Sequence, residues 1–425
     1  MIGTIVIPEK GEPVRRRRPR LPLIAAALAL LLVPGCTVAG SPVRSGPDPA
    51  AVDIGPYRAE LLAPPRDGTD AEGRVLESVR MGEAVIDPLE ADPALKFGLG
   101  AVASVPVPTP AKAAFLARPV QAVLERHGML AGFSVGGMDT EIAADLAVGR
   151  ARLLTVLLLR FPDPAAARSA AAEIDAVDAA VSPENVPAQI PGHPGAHAHW
   201  RPSTPTLAAT TAEDSYVISV LAGERTTDLD GLGRLAAAAF TAQTARLRDF
   251  RPTPPDRFGT LPLDTDGMLA RLLPEAPGVW PRPQVVVSRS DANAGWQPRY
   301  VVTGVVYGPR ASHRYGSWEK SAEPGNMVIA LNGLSTLVRL PDAAAARREY
   351  DESVGELTEP GQREVAAPAG IPDSRCMESL SGFVSVPRFA CRVLYGAHEG
   401  LAFARTLDDA HHKIAAQYLL LARSE

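Results

Sequence analysis

The sequence predicts an α+β chain of two related domains, each a small antiparallel sheet with helices packed on one face. Three observations predict it. The segment Arg160-Phe161-Pro162-Asp163-Pro164-Ala165-Ala166-Ala167-Arg168 recurs 179 residues later as Arg339-Leu340-Pro341-Asp342-Ala343-Ala344-Ala345-Ala346-Arg347. Each copy follows an apolar strand-like run and opens an Ala-rich, helix-favouring stretch. Between the halves, Phe250-Arg251-Pro252-Thr253-Pro254-Pro255 is too proline-dense to continue a helix.

Taken in order, the chain begins with a leader. Arg15 to Arg18 and Arg20 precede an apolar run of 13 residues, Leu21 to Val33, and Gly35 then precedes Cys36. That order reads as a secretory signal of the lipoprotein type over residues 1–35, which places an acyl group such as palmitate on Cys36. The run is too short to span a bilayer, which needs roughly 20 residues. Pro34 stands where such signals ordinarily carry Ala, Ser or Thr. Diacyl or triacyl anchoring at Cys36 gives a stable membrane attachment where a single chain is marginal. Residues 36–56 are rich in Gly, Pro and Ser and read as a flexible tether. The expected location is extracytoplasmic, in the cell envelope, with a lipid anchor in the membrane.

The expected first domain is 57–250. Leu153 to Leu159 reads as a strand, Asp163 as the N-cap of a helix to Ala176, Ser215 to Ala222 as a second strand, and Leu229 to Arg248 as a second helix after Thr227-Asp228. The expected second domain, 251–425, repeats that order. Leu261 to Pro274 reads as a turn and a short helix. Leu334 to Val338 is a strand, and Asp342 caps a helix to about Val354. Ala390 to Tyr395 and Leu401 to Arg405 form a hairpin, and Leu407 to Ala422 is the last helix, entered at Thr406.

Composition limits the function. Removing the six basic and two acidic leader residues leaves 37 basic against 46 acidic, a net charge near −9. That argues against nucleic acid, which needs a basic surface. With Cys36 assigned to lipid, Cys376 and Cys391 remain as an even pair for a disulfide in an oxidising compartment. No cofactor is expected: there is no phosphate loop and no G-x-G-x-x-G after a strand.

Several of these segments are similar to one known family. Arg80-Met81 in the Glu77 helix, Arg160 to Asp163, Asp249 to Pro254 with Leu261 to Pro274, and Ala415-Ala416-Gln417-Tyr418 resemble predicted lipoproteins of mycolic-acid actinobacteria, classed as a domain of unknown function with N- and C-terminal parts. The resemblance covers nearly all of the mature chain. It implies envelope localisation and a two-part architecture, and it carries no known activity or catalytic residues.

Candidate chemistry is sparse. His193, His197 and His199 are the metal candidates, and His197 and His199 share a face if their stretch is a strand. Against them stand Pro191, Gly192, Pro194 and Gly195, which read as loop. His411 and His412 fall on the solvent side of the last helix, with Ile414, Tyr418 and Leu421 toward the core. His127 is explained by a helix C-terminus. The sequence lacks the S-x-x-K motif set of serine enzymes. Three of the four Trp (Trp280, Trp296, Trp318) and Tyr300, Tyr307 and Tyr315 cluster with Arg282, Arg289, Arg299, Arg310 and Arg314. Such a cluster reads as a binding surface or as core and interdomain packing. The reading that follows is a non-catalytic module that binds an envelope lipid, glycan or protein in a cleft between its domains, with residues 280–318 making the contacts. The alternatives are an envelope hydrolase and a structural assembly factor.

Overall fold

In the computed structural model the described residues are 47–99, 103–141, 148–288, 299–316, 325–355, 361–380 and 387–424. Cys36, Trp296 and Trp318 lie outside them, as does the leader. No described helix is long and apolar enough to cross a membrane.

The first half opens with α1 (Asp70–Met81) and α2 (Pro88–Ala91), then β1 (Phe97–Gly98), β2 (Val105–Pro106), α3 (Val120–Arg126) and β3 (Ala131–Met138). It continues with β4 (Leu153–Arg160), α4 (Pro164–Ala179), β5 (Val186–Pro187), β6 (His197–Arg201), β7 (Thr204–Glu213), β8 (Tyr216–Gly223) and α5 (Leu229–Leu247). The second half contains β9 (Gln284–Ser288), β10 (Arg299–Tyr307), α6 (Pro309–Gly316), β11 (Val328–Asn332), β12 (Ser335–Arg339) and α7 (Ala343–Gly355). It closes with β13 (Gln362–Val365), β14 (Ser374–Ser379), β15 (Phe389–Tyr395), β16 (His398–Ala404) and α8 (Leu407–Ala422).

Each half holds one antiparallel sheet of eight strands. The orders are β1-β3-β4-β8-β7-β6-β5, with β2 also on β3, and β13-β14-β15-β16-β12-β11-β10-β9. The run β3-β4-β8-β7-β6-β5 therefore matches β11-β12-β16-β15-β14-β13, with α4 matching α7 and α5 matching α8. This shared order gives the repeated R-x-P-D segment a common structural place in both halves.

The capping residues act as their sequence suggests. Asp163 accepts from the Ala165 and Ala166 amides, Asp228 from Gly231, Thr406 from Asp409 and Asp342 from Ala345. The helix expected after Leu261 does not form. Asp266 and Gly267 both have positive φ (55° and 68°), a backbone that interrupts a right-handed helix. Asp264 instead accepts the Leu269 and Ala270 amides and closes a series of turns.

Helices cover both faces of each sheet, which refines the one-face arrangement. Along β4, Leu154, Val156 and Leu158 join the cluster of α5, whereas Leu157 and Leu159 join that of α3 and α4. In the second half Val393, Ala402 and Ala404 pack on α8, while Leu394 packs with Ala346 and Tyr350 of α7. The α5-side core is shared between the halves. Val285, Val302, Val305, Tyr307, Ile329 and Leu331 belong to the same cluster as Phe133, Val156, Ile218 and Phe240.

Two chain segments cross the expected domain limits. The described end of the tether is packed, since Val52 and Ile54 lie against the α8 cluster and Tyr57 Oη donates to Asp409 Oδ1 at 2.6 Å. The limit at 250/251 falls within a segment held by the first half. The Thr253 amide donates to Glu77 Oε1 at 3.0 Å, and Phe258 packs so closely on Gly73 that any Cβ there would collide with the Phe258 carbonyl.

Candidate functional site

The α4-side face of the first sheet carries an unusual set of small side chains. Registers place Ala208 opposite His199 and Leu221, and Ser219 opposite Thr210 and Leu157. Side chains opposite one another in antiparallel strands share a face. α4 covers only part of this face, and beside its C-terminal turn the short Ala208, Ser219 and Thr155 side chains leave a cleft. The cavity it encloses is about 70 Å³ and opens to solvent. Leu99, Phe115, Leu116, Met138, Leu153, Leu157 and Leu221 form apolar walls, and Asp178, Thr155 and Ser219 are its polar lining residues.

Two carboxylates and one imidazole lie at its edge. Asp175 and Asp178 are three residues apart on α4, so they share a helix face. His199 of β6 lies between them, with Nδ1 2.8 Å from Asp175 Oδ1 and Nε2 3.8 Å from Asp178 Oδ2. Only the first is a hydrogen bond. Burial pushes the Asp178 carboxyl above its ordinary value and nearby Asp175 adds to this, while His199 opposes it. Both ring nitrogens face carboxylates, so neither is placed to take a proton from Ser219, and the group does not form a nucleophile–base pair.

The histidines anticipated as ligands are divided by the sheet. His197 and His199 do share a face, as strand geometry requires. His193 lies on the other side, edge-on to Phe240 of α5 with Nε2 3.2 Å from Thr241 Oγ1. Among the described residues, the three side chains that come close enough to hold a metal are Cys376, Cys391 and His411. There the two sulfurs are joined in the Cys376–Cys391 disulfide across β14 and β15. His411 Nε2 donates to the Ala366 carbonyl, and His127 pairs with Glu173 at 2.7 Å.

Of the two roles open to the aromatic and arginine cluster, its described members Trp280, Tyr307, Arg310 and Arg314 take the packing one. Trp280 and Tyr307 are buried, and Tyr307 lies edge-on to both Phe133 and Tyr315 inside the shared core. Arg314 is 1% exposed. It bonds Asp87 Oδ1 and the Gly82 and Val85 carbonyls, each at 2.6 Å. Arg310 pairs with Asp87 at 3.0 Å and with Glu90. Burial opposes ionisation of Asp87, yet these two guanidiniums hold its carboxyl below the usual range. The segment is thus the joint between the halves, since a buried charge must be paired. Among the described aromatics of this cluster, Tyr300 reaches the cleft, indirectly. Its ring stacks on the Phe115 wall at 5.5 Å, and its hydroxyl donates to the Lys112 carbonyl.

Fold and site together define a duplicated α+β protein with an apolar cleft in one copy. The chain belongs to the family described as Domain of unknown function (DUF7373), whose N-terminal part matches residues 64–263 and whose C-terminal part matches 268–424. No curated protein matches. Among solved structures, the extracellular domain of PknH from Mycobacterium tuberculosis is similar over 41% of this chain and 97% of that one, at 11% identity and a TM-score of 0.29. That likeness is too slight to carry an argument.

Proposed function

We propose that this protein works outside the cytoplasm, anchored to a membrane through an acylated Cys36, and binds a small apolar ligand without transforming it. The observation that carries the binding reading is the cleft, which combines apolar walls with a few polar groups, as ligand sites do. It lies within the first half and not between the halves. The leader composition supports the anchor, and the Cys376–Cys391 disulfide fits an oxidising compartment. The orientation of His199 between two carboxylates weighs against hydrolysis at this site.

Native mass spectrometry of the complete protein extracted from membranes tests the reading. We expect an acyl mass on Cys36 and a separate non-covalent mass that is released on denaturation. In Ser219→Leu/Leu221→Phe the non-covalent mass should disappear while the fold persists by circular dichroism. A bare wild-type polypeptide, or a mass retained by the double variant, would remove the cleft from consideration.

A further inference from the structure

We propose that the cleft selects an amphiphile with a hydrogen-bond-donating, non-anionic head group, such as a long-chain alcohol or amine, and turns away lipids that carry a carboxylate or phosphate. This rests on the ligand-binding reading and adds the ligand's chemical class. The polarity of the lining carries it. The apolar walls, among them Phe115, Leu157 and Leu221, suit a hydrocarbon chain. No Lys, Arg or His is among the described residues that line the cleft, so nothing there neutralises an anion.

Asp178 is the charged side chain of the lining, and its nearest partner, His199 Nε2, stands at 3.8 Å, beyond hydrogen-bond distance. The carboxylate therefore keeps acceptor capacity toward the cleft. Asp175, three residues away on the same helix, adds negative charge near that end. Ser219 and Thr155 contribute hydroxyls that can either donate or accept. A hydroxyl or ammonium group placed beside Asp178 gains a charge-assisted hydrogen bond. A carboxylate there meets like charge in a poorly solvated place, which is costly.

Competition against an uncharged dye tests the inference. The complete chain carrying Cys36→Ser, which removes the acylation site, is loaded with N-phenyl-1-naphthylamine and titrated at neutral to mildly alkaline pH with decanol, decylamine or decanoate. We expect decanol and decylamine to displace the dye at concentrations about tenfold or more below decanoate, and Asp178→Asn to shrink that gap to roughly threefold or less. Equal displacement by decanoate in the Cys36→Ser protein, or an unchanged gap in Asp178→Asn, would overturn the head-group inference and leave ligand binding standing. A dye that does not bind, or that binds equally to Ser219→Leu/Leu221→Phe, would overturn both.

Discussion

The two halves share one strand order but differ at matching places, and the differences separate what the fold requires from what each copy has acquired. Strand registers equate Ser219 with Leu401, Leu221 with Phe403 and Thr210 with Arg392. The first copy has small groups where the second has bulk, and the cleft lies on the side with small groups. The same registers equate the Ala198–Ala209 pair with Cys376–Cys391, so the second copy carries a covalent staple where the first has two methyl groups. Arg160 and Arg339 occupy the same place at the end of the strand before the repeated helix. Arg160 bonds the fully buried Glu77 at 2.7 Å and the Thr253 carbonyl at 2.7 Å, and Arg80 bonds the other Glu77 oxygen at 2.6 Å. Among the described residues, Arg339 pairs with Asp266 at 2.9 Å, a carboxylate 59% exposed.

The largest test of this contrast is at the arginine partners. Glu77→Ala should cost about 3–5 kcal/mol, because it strands Arg160 without a counter-charge in the interior. Asp266→Asn, which removes the charge and tolerates the positive φ there, should cost under about 1 kcal/mol. Chemical denaturation of both variants checks the pair, and equal losses would refute the idea that the two ties have diverged. Next in size, Cys376→Ala/Cys391→Ala should cost about 3 kcal/mol, as expected for a loop of 15 residues. Calorimetry in the absence of reductant would show it.

A third pair should behave alike. Gln243 receives the Ile86 amide and donates to the Ala84 carbonyl, and Gln417 receives the Leu273 amide and donates to the Arg271 carbonyl. Each copy thus clasps the turn segment before its sheet from the last helix. Gln243→Leu and Gln417→Leu should each cost about 2 kcal/mol by leaving buried backbone groups unpaired. A wide difference between them would show that the clasp matters in only one copy.

The last effect concerns pH. Burial, with Arg271 and Arg339 nearby, pushes His398 down to about 4 from an ordinary 6.5. The unfolded chain then binds a proton that the folded one refuses, so stability is full above pH 6.5 and falls as pH drops toward 4. His398→Gln should flatten that part of a melting-temperature profile, and an unchanged slope would remove His398 as its source.

What the sequence made legible was local. Asp163, Asp228, Asp342 and Thr406 announce helix starts because capping needs only the next few residues. The strands β4 and β12 are visible as apolar runs, and the central β4 is apolar along nearly its full length because both its faces are covered. The outer strands were missed. β7 reads Thr-Pro-Thr-Leu-Ala-Ala-Thr-Thr-Ala-Glu, with little bulk to mark it, and the exposed β5 is two residues long. The cleft was illegible for another reason. Thr155, Asp178, Ala208 and Ser219 come together only through register and helix placement. The signal that could have found it is the exchange of small for large residues between the copies, and that requires knowing which strands pair. The segment 280–318 left two readings open because arginine beside aromatics has the same composition at a surface and at a joint.

The core shared by β3, β4, β8 and α5 with β10 and β11 ties together the fates of two distant features. Neither half can lose its packing without exposing the other's, so both unfold in one cooperative step. A ligand that binds only the folded first half then shifts the whole equilibrium by mass action, by about 2.7 kcal/mol at a hundredfold excess over its Kd. Reduction of Cys376–Cys391 acts on that same step from the opposite half. An occupied cleft would make the protein more tolerant of reductant, without any contact between the two sites.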